Sequence, residues 1–397
     1  MKTPWTLFAA CLPGLEELLL EELAPLGARR LQVVAGGVQC QGDLSVLYRI
    51  NLCSGLASHV LLRLARFRAV HLAQLQKHAD RWPWEELFEG GHRFSVRAVC
   101  RRSKLYHSGA VAERVARAVT RRSGALVVSD PAGPDPAPVV AVRLFEDTAV
   151  LSLDASGEPL HRRGWRLQTG KAPLREDLAR ALLLASGWNR LAMLLDPMMG
   201  SGTLPIEAAL LARGLAPGRL RAFAFQDTRL FDAALFERMR NELDQRALPR
   251  SPALIFGSDR DTGALEAARG NAARAGVLED LRLECAPLGR APILRGEPPP
   301  DEAGWLVTNP PHGRRIGDPR KLRNLYQSLG QAGRRLPAGW TAALCVADRR
   351  LALATGWPLA TSFLSSHGGV KIRAMVGKMA GSQAARADRP DDPSPDA

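Results

Sequence analysis

The chain has 397 residues, 46% hydrophobic and 24% charged, the balance of a globular protein with two or three domains. Short, interrupted apolar runs argue against a membrane span, and six scattered cysteines without a CxxC pair or a nearby His cluster argue against zinc or a disulfide framework. A net charge of +14 and a pI of about 10.3 suit a polyanionic partner, and nucleic acid is the commonest polyanion in a cytoplasm.

The N-terminus carries one lysine and then acidic residues after its apolar run. It lacks the charge order and cleavage site of a signal peptide, so a cytoplasmic location is expected. Residues 5–10 alternate as a strand, and Leu15, Leu18, Leu19 and Leu23 then share one helical face that ends by Gly27. Strands over Leu31–Val34 and Val38–Cys40, a helix over Leu44–Asn51 and a strand over "HVLLRLARF" complete an α+β unit, placed at residues 1–65.

From His71 a helix leads to the aromatic corner "RWPWEELF". In "RFSVRAVC", Phe94, Val96, Ala98 and Cys100 point one way, and Arg93, Ser95 and Arg97 the other. A basic loop with Arg101, Arg102 and Lys104 precedes a helix that buries Val111, Val115, Ala118 and Val119. That helix aligns Arg114, Arg117 and Arg121 on its outer face. Alone, such a stripe is an ordinary solvated face; with the basic loop and the net charge, it favours contact with nucleic acid. A hairpin turned at Glu146–Asp147 ends this second unit, residues 66–158.

From Asp177 the pattern becomes strand–turn–helix, with strands expected at Leu191–Leu195, Ala253–Phe256, Leu281–Cys285, Trp305–Thr308 and Thr341–Val346. That alternation predicts a mainly parallel sheet with helices on both faces, over residues 159–380. The Pro- and Asp-rich tail, 381–397, is expected to be disordered.

Three stretches of this last region carry chemistry. In "LLDPMMGSGTLPIEAAL" a strand ends in an acid and a Gly-rich bend, and a helix opens near Thr203 with Pro205 in its first turn. Gly200 and Gly202 let backbone approach a ligand closely, and free N–H groups at the helix start favour an anionic group. The loop fits neither the nucleoside-triphosphate pattern nor the dinucleotide GxGxxG pattern. In "FGSDRDTG", Asp259 ends a strand, where its two oxygens suit vicinal ribose hydroxyls, with helix capping as the alternative. Asp261 reads as a cap. In "TNPPHGRRIGD", two prolines fix where the Asn309 amide and the His312 ring point. All three stretches fall at the carboxyl ends of strands in one sheet.

"DPMMGSGT" and "NPPH" resemble the DPxxGSGT cofactor loop and NPPY motif of the class I S-adenosylmethionine-dependent amino-methyltransferases. "LHRRGWRLQTGKAPLREDLARALLLASGW", "GLAPG" and "NPPHGRRIGD" further resemble the THUMP-domain RNA methyltransferases, whose bacterial 23S rRNA guanine-N2 members carry NPPYGERLG. The resemblance implies an α/β chain: a Rossmann-like methyltransferase sheet preceded by a ferredoxin-like unit and a THUMP RNA-binding domain. It implies S-adenosylmethionine as cofactor, held by Asp196, Pro197, Met198, Gly200, Ser201, Gly202, Thr203, Asp259, Arg260 and Asn309. It assigns catalysis to Asn309, Pro310, Pro311 and His312: the Asn309 oxygen and Pro310 carbonyl accept hydrogens of an exocyclic amine, and the ring at 312 stacks on an extruded base.

RNA contact is assigned to Arg101, Arg102, Lys104, Arg114, Arg117 and Arg121, and to Arg314 and Arg315, which equally suit a solvated pair. No metal is expected, no membrane is expected, rRNA is favoured over tRNA as partner, and a monomer is favoured. Two departures stand out. His312 replaces the family's tyrosine, and "LRLECAPLG" places Cys285 or Ala286 where an acid often receives the adenine amino group. The expected activity is methylation of guanine N2 in 23S rRNA. The alternatives are a DNA adenine-N6 methyltransferase and a non-catalytic RNA-binding or assembly protein that keeps the pocket.

Overall fold

Alternation places Leu7, Ala9, Val38, Cys40, Val60 and Leu62 on one face of neighbouring strands, and all are buried. The strands are β1 (Trp5–Ala10), β2 (Arg29–Val34), β3 (Gly37–Gly42) and β4 (His59–Arg68), with α1 (Glu16–Leu23) and α2 (Leu44–Cys53) between them. Asp43 starts α2 by accepting the Val46 N–H at 3.1 Å. The order β2-β3-β1-β4 is the ferredoxin-like arrangement. This computed structural model describes residues 4–128, 137–167, 173–291, 303–311 and 319–379.

Next come α3 (Leu72–Arg81), β5 (Arg93–Arg101), α4 (Ser108–Ser123), β6 (Leu126–Val127), β7 (Val139–Phe145) and β8 (Thr148–Asp154). Glu146 and Asp147 both adopt positive φ (49° and 61°), the geometry a tight hairpin needs between β7 and β8. β8 pairs antiparallel with β4, so both sequence segments join one eight-stranded sheet, β2-β3-β1-β4-β8-β7-β5-β6.

The second unit begins with α5 (Glu176–Ala185), β9 (Leu194–Asp196) and α6 (Thr203–Arg213). The chain then rejoins the first unit through Ala216–Arg246, which includes α7 (Ala233–Arg246). There Tyr48 of α2 stacks on Phe225 with ring centroids 4.4 Å apart. Its hydroxyl donates to the Leu230 carbonyl at 2.8 Å and accepts from the Asp232 N–H at 2.7 Å. Burial pushes that hydroxyl up to about 12.

Back in the second unit follow β10 (Ile255–Asp259), α8 (Thr262–Arg274), β11 (Leu281–Cys285), β12 (Trp305–Thr308), α9 (Pro319–Gly333), β13 (Thr341–Val346), α10 (Arg349–Leu353), β14 (Ala360–His367) and β15 (Val370–Lys378). The sheet runs β11-β10-β9-β12-β13-β15-β14, parallel from β11 to β13 and closed by an antiparallel hairpin. Strand order reverses between β9 and β12, the switch point at whose carboxyl ends open α/β sheets bind ligands.

Two strands start later than the sequence pattern suggests. Asn189 accepts the Leu191 and Ala192 N–H groups at 3.0 and 2.8 Å, which holds Leu191 in a turn, so β9 begins at Leu194. Ser251 ties Ala253 into a similar turn, and β10 runs from Ile255 to Asp259. The hairpin of β14 and β15 was not among the strands expected from the sequence.

Candidate active site

The Gly-rich loop lies between β9 and α6 and is held from below. The Met199 N–H donates to the Ser258 carbonyl at 3.0 Å, and the buried Asn271 amide donates to the Ser201 carbonyl at 3.1 Å. Gly202 is in the left-handed region (φ 81°), and a Cβ there would sit 2.9 Å from Ala268 Cβ. Gly200 is also left-handed (φ 53°), but a Cβ there would meet nothing within 4 Å, so its open side is available to a ligand.

Asp259, at the end of β10, accepts the Gly200 N–H at 3.0 Å and the Asp261 N–H at 3.1 Å. It thereby fixes the loop while staying partly exposed. Asp261 caps α8 by accepting from Gly263 and Ala264, as the sequence indicated. Arg260 is exposed. Cys285 pairs in register with Asp259 and is exposed, whereas Ala286 donates its N–H to the Asp259 carbonyl at 2.9 Å.

Asp196 ends β9 and is 1% exposed. Burial raises its carboxyl to about 7, and the nearby Asp259 charge adds to that; the Thr308 hydroxyl and the Met198 N–H pull the other way. Thr308 Oγ1 donates to Asp196 Oδ1 at 2.6 Å, joining the ends of β9 and β12. Pro197 and Ser201 are buried beside it. Thr203 Oγ1 accepts from Arg166 at 2.8 Å.

Asn309 directly follows Thr308. Its Oδ1 is buried and, among the described residues, accepts no hydrogen bond. Ser201 Oγ and Ser258 Oγ are likewise buried without a partner. Pro310 is buried, Pro311 is exposed, and the Pro311 carbonyl accepts from Tyr326 Oη at 3.3 Å. Tyr326 is fully buried on α9, and burial raises its hydroxyl well above the usual range. Buried polar atoms without partners among the described residues fit a polar ligand that brings its own hydrogen-bonding groups.

Sequence reasoning did not single out Thr308, Ser258, Asn271 or Tyr326. The first three support the motif residues from elsewhere in the chain, and Tyr326 at helical spacing reads simply as core. His312, Arg314 and Arg315 lie outside the described residues, as does the tail 381–397. Among the described residues no cluster of three His, Cys, Asp or Glu could hold a metal, and no helix is long and apolar enough to cross a membrane.

In the other unit, Arg101 and Lys104 are exposed. Arg102 lies 3.4 Å from Glu146, Arg117 pairs with Glu113, and Arg121 pairs with Asp80. Acids therefore partly neutralise the α4 stripe, and Arg114 is half-buried.

Strand order, Gly-rich loop, terminal Asp and Asn-Pro-Pro segment define a class I methyltransferase domain. Residues 163–357 match the RMKL-like methyltransferase domain, residues 6–61 the RlmL ferredoxin-like domain and residues 69–154 the THUMP domain. A similar curated relative is the "Ribosomal RNA large subunit methyltransferase K/L" of Syntrophotalea carbinolica, 41% identical over 363 residues, covering 89% of this chain and 50% of that protein. The chain spans about half the length of the curated relatives it matches.

A solved "possible methylase" from Clostridium difficile has a TM-score of 0.83 at 28% identity and covers 99% of this chain and 100% of its own. A second structure, SMU.472, "a putative methyltransferase complexed with SAH", has a TM-score of 0.83 at 27% identity and covers 96% and 99%. The chain belongs to the THUMP-domain methyltransferases: an RlmL ferredoxin-like domain, a THUMP domain and an RMKL-like methyltransferase domain in one polypeptide.

Proposed function

We propose that the chain methylates an exocyclic base amine in RNA, with guanine N2 of 23S rRNA as the target and S-adenosylmethionine as the methyl donor. The observation that carries this reading is the buried Asn309 Oδ1, which has no partner among the described residues and directly follows β12 where that strand pairs with β9. The names of the rRNA methyltransferase relatives and the SAH-bound neighbour support it. Gly200, Asp259 and the Gly-rich loop are the residues that hold the cofactor, which supplies an electrophilic methyl on a sulfonium.

An aromatic amine is a weak nucleophile because its lone pair delocalises into the ring. Asn309 Oδ1 and the Pro310 carbonyl accept its two hydrogens, turn the lone pair outward and stabilise positive charge as it forms on nitrogen. Pro310 and Pro311 limit backbone freedom there, and Tyr326 restrains the Pro311 carbonyl.

The test is transfer of labelled methyl groups to unmodified 23S rRNA, followed by mass analysis of its nucleosides. Labelled N2-methylguanosine is expected. Label appearing on DNA adenine alone, or no cofactor binding by calorimetry at millimolar concentration, would overturn the reading.

A further inference from the structure

The eight-stranded sheet has two unlike faces. One is covered by helices: Leu62, Leu151, Val140 and Val142 are buried on it, and Phe67 stacks on His78 of α3 with centroids 4.3 Å apart. Strand alternation sends the intervening residues to the opposite face. The register sets Arg97 beside Ala141 and Ser152, Arg66 beside Val150 and Arg143, and Arg68 beside Thr148 and Phe145. Arg101 pairs in register with Phe145. A shift in register between Arg63 and Ala65 keeps Arg63 on this same face, where it donates to Ser152 Oγ at 3.0 Å.

The end of the open face at Ser95, Val139 and Asp154 is buried, and its other end is exposed. The exposed end carries Arg66, Arg68, Arg97, Arg101 and Arg143, together with Val99 at 47% exposure. Among the described residues none of these arginines is in an ion pair, in contrast to Arg117 and Arg121 of α4. Among the described residues no acid occupies the middle of the face: Asp154 lies at the buried end and bonds His59 at 2.8 Å, and Glu146 and Asp147 form the turn. Arg143 sits 5.6 Å from the centre of the Phe145 ring. Clustered cations with an interleaved aromatic ring form a surface complementary to a nucleic-acid backbone with bases free to stack. Burial, and after it the nearby Arg143 charge, lowers the Arg63 guanidinium to about 10.

We propose that this open sheet face, rather than the α4 stripe, is the surface that grips the RNA backbone. The proposal rests on the reading that the substrate is RNA. Unpaired guanidiniums on rigid strands can release counterions from phosphates without first breaking protein ion pairs. Arg117 and Arg121 of α4 would have to exchange an existing carboxylate partner.

The test uses the full chain and a 23S rRNA fragment in filter binding across a salt series. Arg66→Gln/Arg97→Gln/Arg143→Gln should weaken binding at least about 10-fold and flatten the dependence of log K on log salt by about 2, since each lost phosphate contact removes about 0.7–0.9 from that slope. Arg114→Gln/Arg117→Gln should change affinity less than about 2-fold. S-adenosylmethionine affinity should be unchanged in both. Crosslinks from 4-thiouridine RNA to the unsubstituted protein should fall on β4, β5 and β7, a readout independent of any folding defect.

Crosslinks on α4, or RNA affinity lost with the helix substitutions and retained with the sheet substitutions, would overturn the proposal and leave the RNA reading intact. No RNA binding by the unsubstituted chain would overturn both.

Discussion

Thr308 Oγ1 donates to Asp196 Oδ1 at 2.6 Å, so the last residues of β9 and β12 are tied together where the strand order reverses. The bond joins the Gly-rich loop, which begins at Asp196, to the Asn-Pro-Pro segment, which begins at Asn309. Thr308→Val keeps the shape and removes the donor, leaving a buried carboxylate short of one hydrogen bond. We expect a loss of about 1–3 kcal/mol in stability, read from chemical denaturation, with the larger loss above pH 7 where Asp196 is ionised.

Asp196 gives a pH dependence of its own. Its carboxyl is raised in the folded chain from 3.8 to about 7, so between those values the folded state binds a proton that the unfolded state has released. Its contribution to stability therefore falls as pH rises from about 4 to 7 and is level above. Asp196→Asn removes this dependence. The stability of the variant relative to the parent should climb across that window, and a flat difference would contradict the raised carboxyl.

Asn309→Ala removes an acceptor that has no partner among the described residues. The melting temperature should stay within a degree or two, while kcat falls by about 100- to 1000-fold, the scale seen when one charge-stabilising group is lost. A large fall in stability with intact turnover would assign Asn309 a structural role.

The two loop glycines should respond differently. Gly202→Ala drives a Cβ to 2.9 Å from Ala268 in a left-handed conformation, so the helix α8 must shift and the fold loses several kcal/mol, about 2–4 by analogy with overpacking and strain. Gly200→Ala meets open space and costs about 1 kcal/mol of backbone strain. Calorimetry should instead show a cofactor affinity at least about 10-fold weaker for Gly200→Ala, about 1.4 kcal/mol.

The candidate site could be read from the sequence because the proposed chemistry calls for particular residue types at short spacing. Gly200 and Gly202 in a strand–helix turn, Asp259 at a strand end and Asn309 before two prolines all announce themselves locally. The residues that hold them do not. Thr308 and Asp196 are 112 positions apart, and neither residue type signals a partner at that range. The placement of Ala216–Arg246 was equally hidden, because it depends on Tyr48 meeting Leu230 across 182 positions. On the sheet, alternation correctly separated Phe94, Val96, Ala98 and Cys100 from Arg97. The Arg121–Asp80 pair was not foreseen, since Asp80 lies on α3.

We propose that Gly200, Asp259 and Asn309 surround one crevice for a sulfonium nucleoside beside a target amine. A crystal structure with S-adenosylhomocysteine tests it most directly. We predict the ribose hydroxyls on the Asp259 carboxylate, the ligand backbone against Gly200 and the sulfur facing Asn309. Density for the nucleoside elsewhere on the molecule, or a crevice left empty at saturating ligand, would contradict it.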